Sequence, residues 1–118
     1  MIKYSTVILL LGLLSSCGKK VDRPQAILGH WQDDNDTHLY YNFIDPYNWY
    51  CIRDDDTTTI IGGTYQFIND NRQIVLGKEY RRRGEPADTF NIRSLKKKTM
   101  EIRQLGWARS VELYKLND

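Results

Sequence analysis

Cysteine and histidine are scarce, with two of each in 118 residues, and His30, His38 and Cys51 lack the paired short spacing that zinc ligation uses. No apolar run reaches the ~20 residues that a membrane-spanning helix needs; the strongest, Val7 to Leu14, is far shorter. Neither sign of charge dominates, since 17 basic residues face 15 acidic ones, so nothing in the overall balance draws the chain to nucleic acid. Between Ile27 and Leu116 no stretch places apolar side chains at i, i+3, i+4 and i+7, which argues against a helical bundle. Catalytic signatures are missing too. Beyond residue 16 the only serines are Ser94 and Ser110, neither in a nucleophile elbow, and no glycine loop is built to cradle phosphate. No enzyme is expected. Asp33-Asp34-Asn35-Asp36 and Asp54-Asp55-Asp56 offer clustered oxygens, but a calcium loop beginning at Asp54 would need glycine at Thr59 and glutamate at Tyr65. These read as solvated turns, and neither metal nor cofactor is expected.

What is present begins at the N-terminus. Lys3 precedes the apolar run Val7 to Leu14, which closes on Leu14-Ser15-Ser16-Cys17. This segment resembles the signal peptide and lipobox of bacterial lipoproteins. The resemblance implies cleavage after residue 16, a diacylglyceryl group on the Cys17 sulfur, and a fatty acyl chain such as palmitate on the new amino group. A single acyl chain holds a membrane only weakly, with a constant of about 10⁴ M⁻¹, whereas two or three make the anchor effectively permanent. Cys51 is then left without a disulfide partner, and stability must come from packing. Gly18 stands where enterobacterial inner-membrane lipoproteins carry aspartate, so the outer membrane of a bacterial cell envelope is the expected location. Residues 17–26, polar and containing Gly18 and Pro24, read as a lipidated tether.

From residue 27 to 118 the chain reads as one all-β domain. Leu39, Tyr41 and Phe43 alternate on one face of a strand, and Tyr47, Trp49 and Cys51 on the next, with Asp45-Pro46 as the turn. Asp54 to Thr59 reads as a loop. Ile60 to Ile68 follows as a strand whose Gly62-Gly63 pair suggests a bulge or bend. Asn69 to Arg72 is a turn cluster, Gln73 to Leu76 a strand, and Tyr80 to Arg83 its extension or a short edge piece. Thr89 to Leu95, Met100 to Leu105 and Ser110 to Leu116 complete a meander. With Leu28 to Gln32 as the first strand, about eight short strands predict a small antiparallel up-and-down barrel.

Gly29-His30-Trp31 at the first strand, Gly63-Thr64-Tyr65 in the middle, and Phe90 to Leu95 followed by Met100-Glu101-Ile102 together resemble small lipocalin-like lipoproteins of bacterial envelopes. The resemblance covers Ile27 to Leu116. It implies a lipocalin-like barrel in which Gly29 and Trp31 are structural and a basic side chain, Arg109 or Arg103, stacks on the tryptophan. Full lipocalins are much longer, so the length for deep strands and a lid is missing here.

Tyr41, Phe43, Trp49, Tyr65 and Phe67 share the inward strand phase. They are either the walls of an apolar pocket for a small amphiphile or an ordinary core. Arg81-Arg82-Arg83 and Lys96-Lys97-Lys98 are the sharpest charge runs; converging on one barrel end they would attract anionic headgroups or polysaccharide, and otherwise they are solvated turns. Two functions therefore stay open: a barrel that binds a small apolar or amphiphilic ligand, or a solid barrel that docks another envelope protein as inhibitor or assembly component.

Overall fold

Alternating apolar residues between short polar turns fold into consecutive antiparallel hairpins. The computed structural model describes residues 21–116 except residue 81, without side-chain detail at 57–59. The signal segment expected at 1–16, the lipidation site expected at Cys17, the first part of the expected tether and Arg81 lie outside the described residues. A one-turn helix α1 (Arg23–Ala26) leads into β1 (Gly29–Asp33), β2 (Leu39–Phe43), β3 (Asn48–Arg53), β4 (Asp56–Ile68), β5 (Gln73–Leu76), β6 (Asp88–Leu95), β7 (Thr99–Gln104) and β8 (Val111–Leu116). Each strand pairs with the next and β8 returns to β1, closing an eight-strand up-and-down barrel as the strand spacing predicts. Closure removes the free edges that so many sequential hairpins would otherwise expose.

The two-residue period decides the core. Trp31, Tyr41, Phe43, Trp49, Tyr65, Ile74, Leu76, Phe90, Ile92, Met100, Ile102 and Leu113 are all buried in one cluster. Leu95 joins them although it lies three residues after Ile92. A register shift between Ile92 and Ser94 sets Arg93 aside and returns Leu95 to the interior opposite Met100.

One mouth of the barrel is stoppered. Ile27, directly after α1, has no exposed surface, and burying such a side chain contributes about 2 kcal/mol. The Trp31 indole Nε1 donates to the Ile27 carbonyl at 2.8 Å, and Lys115 Nζ, donating to the Ala26 carbonyl at 2.8 Å, lies 5.0 Å from the Trp31 ring centre. Composition alone assigns residues 23–26 to the tether, whereas they form α1 with Pro24 in its first turn. Four residues carry no readable period, and their order comes from Lys115 at the far end of the chain. Gly29 has φ +134°, a value side-chain-bearing residues rarely adopt, and so turns α1 into β1.

Three further expectations are corrected. Asp54 to Thr59 is not a loop: only Asp54 and Asp55 turn, and β4 starts at Asp56, paired with Arg53. Cross-strand pairing and the β-preference of threonine outweigh the acidic composition. Gly62-Gly63 makes no bulge, because Tyr50↔Gly62 and Trp49↔Gly63 hold a continuous register, and the irregularity falls between Cys51 and Arg53 on the opposite strand. The charge runs do not converge. The loop containing Arg82 and Arg83 joins β5 to β6, while Lys96 to Lys98 joins β6 to β7, so the two occupy opposite ends of β6. Asn69, Asp70 and Asn71 all take positive φ, between 53° and 63°, and make the predicted turn with the residue types that tolerate it best.

Candidate functional site

The five inward aromatics are brought together; Tyr41 and Phe43 fill the interior, while Trp49, Tyr65 and Phe67 also border depressions at the side of the barrel. Tyr41 stacks on Trp49 with ring centres 6.4 Å apart and planes 16° off parallel. Trp49 lies against Phe43 at 6.4 Å, Phe43 meets Tyr65 edge-on at 5.1 Å, and Tyr65 meets Phe67 edge-on at 6.3 Å. Such pairs add about 0.5 to 1.5 kcal/mol each beyond area burial. Phe67 is half-buried, and the other four expose at most 9% of their surface. Between Tyr41, Phe43 and Trp49 the interior is packed ring against ring.

Their polar atoms face protein backbone. Trp49 Nε1 donates to the Gly77 carbonyl at 2.8 Å, and the Tyr65 hydroxyl donates to the Asp45 carbonyl at 2.7 Å. Burial pushes the Tyr65 phenol up to about 12 and Tyr41 well above its ordinary range. Cys51, half-buried beneath the acidic loops, is likewise pushed up to about 12 by burial, against a smaller opposing pull from Arg53. It is a weak nucleophile there.

One depression of about 610 Å³ lies at the α1 end among Val21, Arg23, Asp70, Asn71, Arg72 and Leu95, and two more lie at the side of the barrel. Registered pairs run across the barrel from His30 to Asn42, Tyr50 and Gly62, and an isolated bridge extends the row to Tyr80. Asn42 is only 2% exposed although it faces outward; its amide oxygen meets His30 Nδ1, and its Nδ2 donates to the Tyr50 carbonyl at 3.4 Å. At Gly62 an added Cβ would come within 2.6 Å of the Trp49 carbonyl and 2.9 Å of the Tyr50 Cβ. The glycine keeps the floor low between two tyrosines, and Ile44 and Ile60 complete an apolar groove of about 320 Å³.

Beside it, Tyr47, Thr64, Tyr65, Gln66, Phe67 and Glu79 line a second depression of about 600 Å³, so two of the five candidate aromatics border it. Glu79 is fixed between the groove and this depression. Its carboxylate accepts from the Thr64 N–H at 2.9 Å and the Thr64 hydroxyl at 2.8 Å, an arrangement that holds it below the usual carboxylate range. Side chains at Gly63 or Gly77 would collide with that carboxylate. Gly63 and Thr64 apart, these outer residues carry no motif. The one signal available was that Tyr50 and Ile52, out of phase with Trp49 and Cys51, make β3 apolar on both faces.

At the opposite end from α1, the acidic loops are wired internally. Arg53 binds Asp36 at 2.6 Å and Asp55 at 3.0 Å, and His38 Nδ1 lies 2.6 Å from Asp54. Among the described residues no group of three or more His, Cys, Asp or Glu side chains is arranged to hold a metal ion.

Of the residues that the lipocalin resemblance singles out, Gly29 makes the turn into β1 and Trp31 is buried in the core. Arg109 does not stack on the tryptophan: it is exposed in the β7–β8 turn, and Lys115 occupies the place over Trp31. The reason is register, since Trp31 pairs directly with Lys115 on β8. Compared with protein families, with characterised proteins and with solved structures, the chain matches none.

Proposed function

We propose that this chain is a lipid-anchored protein of a bacterial envelope, held by Cys17 at the outer membrane, whose lipocalin-like barrel is a solid scaffold that docks a protein partner. The observation carrying this reading is the filled interior. Tyr41, Phe43 and Trp49 are spent on each other and on a backbone carbonyl, and Tyr65 and Phe67, which border the side depression, pack on Phe43 and on each other. The groove among Ile44, Tyr50, Ile60 and Tyr80 supplies the alternative surface. Aromatic side chains around a shallow apolar depression suit the centre of a protein interface, where tyrosine is enriched and charge depleted. Catalysis has no part in the proposal.

Native mass spectrometry of the mature protein, after incubation with envelope lipids, tests it. A clean protein mass is expected, and a stoichiometric small-molecule adduct would return the function to ligand carriage. A photo-reactive residue in place of Tyr80 should, in intact cells, yield one discrete protein adduct that Ile44→Glu removes.

A further inference from the structure

In an up-and-down barrel, successive turns alternate between the two ends. The chain enters β1 at the same end as the β2–β3, β4–β5 and β6–β7 turns. Arg23 on α1 confirms the grouping by donating to the Asn71 carbonyl of the β4–β5 turn at 2.8 Å.

That end has a particular composition. Tyr47 is 70% exposed and Val21 48%, and Arg72, Lys96 and Lys97 are exposed on other turns of that end. The acidic residues of its turns and entry are Asp22, Asp45 and Asp70, with the Asp45 carboxylate turned onto the Tyr47 and Asn48 N–H groups and the Asn48 side chain; Glu79 lies in one depression with Tyr47, and Glu101 and Glu112 in one with Lys96. The far end carries Asp34, Asp36, Asp54 and Asp55 on the β1–β2 and β3–β4 turns. Its basic residues include Arg53, bound to Asp36 and Asp55, Lys78, bound to Asp88, and Arg82, near Glu85. The exposed Trp107 at that end packs edge-on against Phe90.

We infer that the barrel end bearing Val21, Tyr47, Lys96 and Lys97 rests on an anionic phospholipid headgroup surface. The inference rests on the lipid anchor proposed at Cys17. Only three residues, Gly18 to Lys20, separate Cys17 from Val21, and the four chain steps reach at most about 14 Å. Each headgroup layer alone is about 5 to 7 Å thick, so the anchor holds this end, and no other, against the bilayer. Tyrosine rings suit the headgroup level. Lysines near an anionic leaflet each favour the docked state by about fivefold, an attraction that salt screens. Docked this way, the barrel turns its carboxylate-bearing turns away from the membrane and leaves the Tyr50–Tyr80 groove on its side wall, open to a partner.

The test uses the mature protein purified from bacterial membranes and reconstituted into vesicles. Flotation with neutral phosphatidylcholine vesicles reads the anchor alone. A polarity-sensitive fluorophore at Tyr47→Cys, and separately at Asn35→Cys on the far end, reads the orientation, with the unsubstituted protein controlling for Cys51. On vesicles containing about one-third phosphatidylglycerol, the residue-47 probe should shift to the blue and be quenched by brominated lipid, while the residue-35 probe stays in water. Lys96→Gln and Lys97→Gln should each lower the docked-to-undocked ratio about fivefold. Flotation with both probes equally exposed on anionic vesicles overturns the docking and leaves the anchor standing. Failure to float on neutral vesicles overturns the anchor and the docking with it.

Discussion

Lys115, on the last strand, lies 5.0 Å above the ring of Trp31, on the first, and also caps the carbonyl of Ala26. One side chain thus joins the closing strand, the opening strand and the helix that stoppers the barrel. Removing it loses a cation–π contact and a charge-assisted hydrogen bond together. Lys115→Met should lower unfolding free energy by about 2 kcal/mol, measured by urea denaturation. Arg109→Ala, remote from the ring, should stay within about 0.5 kcal/mol of the parent.

Trp49 separates packing from hydrogen bonding. Trp49→Phe keeps an aromatic ring but leaves the Gly77 carbonyl without its donor, and should cost about 2 kcal/mol. Trp49→Ala should cost about 3 to 5 kcal/mol, because the neighbouring Tyr41 and Phe43 rings cannot close the gap. Both effects should appear as shifts of the urea midpoint in protein without added ligand, as expected of a core residue.

The Cys51 thiol should resist alkylation. With its pKa pushed up to about 12 by burial, almost none is thiolate at neutral pH. Iodoacetamide should label it far more slowly than the same chain unfolded in urea. Equal rates would show that the mouth above Cys51 is open.

The His38–Asp54 pair gives a pH dependence of definite sign. Its hydrogen bond to Asp54 raises the His38 pKa above its ordinary value. The contribution to stability is full below the unfolded value of about 6.5 and is lost as pH rises through the higher folded value. Imidazole resonances followed by NMR should place the His38 midpoint above that ordinary value, and Asp54→Asn should bring it back down.

Glu79→Gln tests the strut between the outer depressions. The lost carboxylate leaves the Thr64 N–H and hydroxyl with a poorer acceptor, and amide exchange at Thr64 and Tyr80 should quicken about tenfold. In the parent the lowered Glu79 pKa means that this support is present above the ordinary glutamate value and is lost as pH falls through the folded one.

By itself the sequence determined the strands and their inward faces. Tyr41 and Phe43, Trp49 and Cys51, Ile74 and Leu76 advertise a two-residue period that only a strand with one buried face satisfies. The turn residues Asn69 to Arg72 and Lys96 to Lys98 then make the strands consecutive hairpins, and a small sheet with so many hairpins does best to close. Tertiary structure decided what no local pattern encodes. It chose Lys115 over Arg109 because strand register, fixed across the barrel by all the other pairs, sets Lys115 beside Trp31. It ordered residues 23–26 through a contact from the far end of the chain. It also turned Tyr50, Gly62 and Tyr80 into one outer groove, since a cross-strand row has no signature along the sequence. Local preference acts over a few residues, whereas partnership between strands depends on how the whole barrel closes.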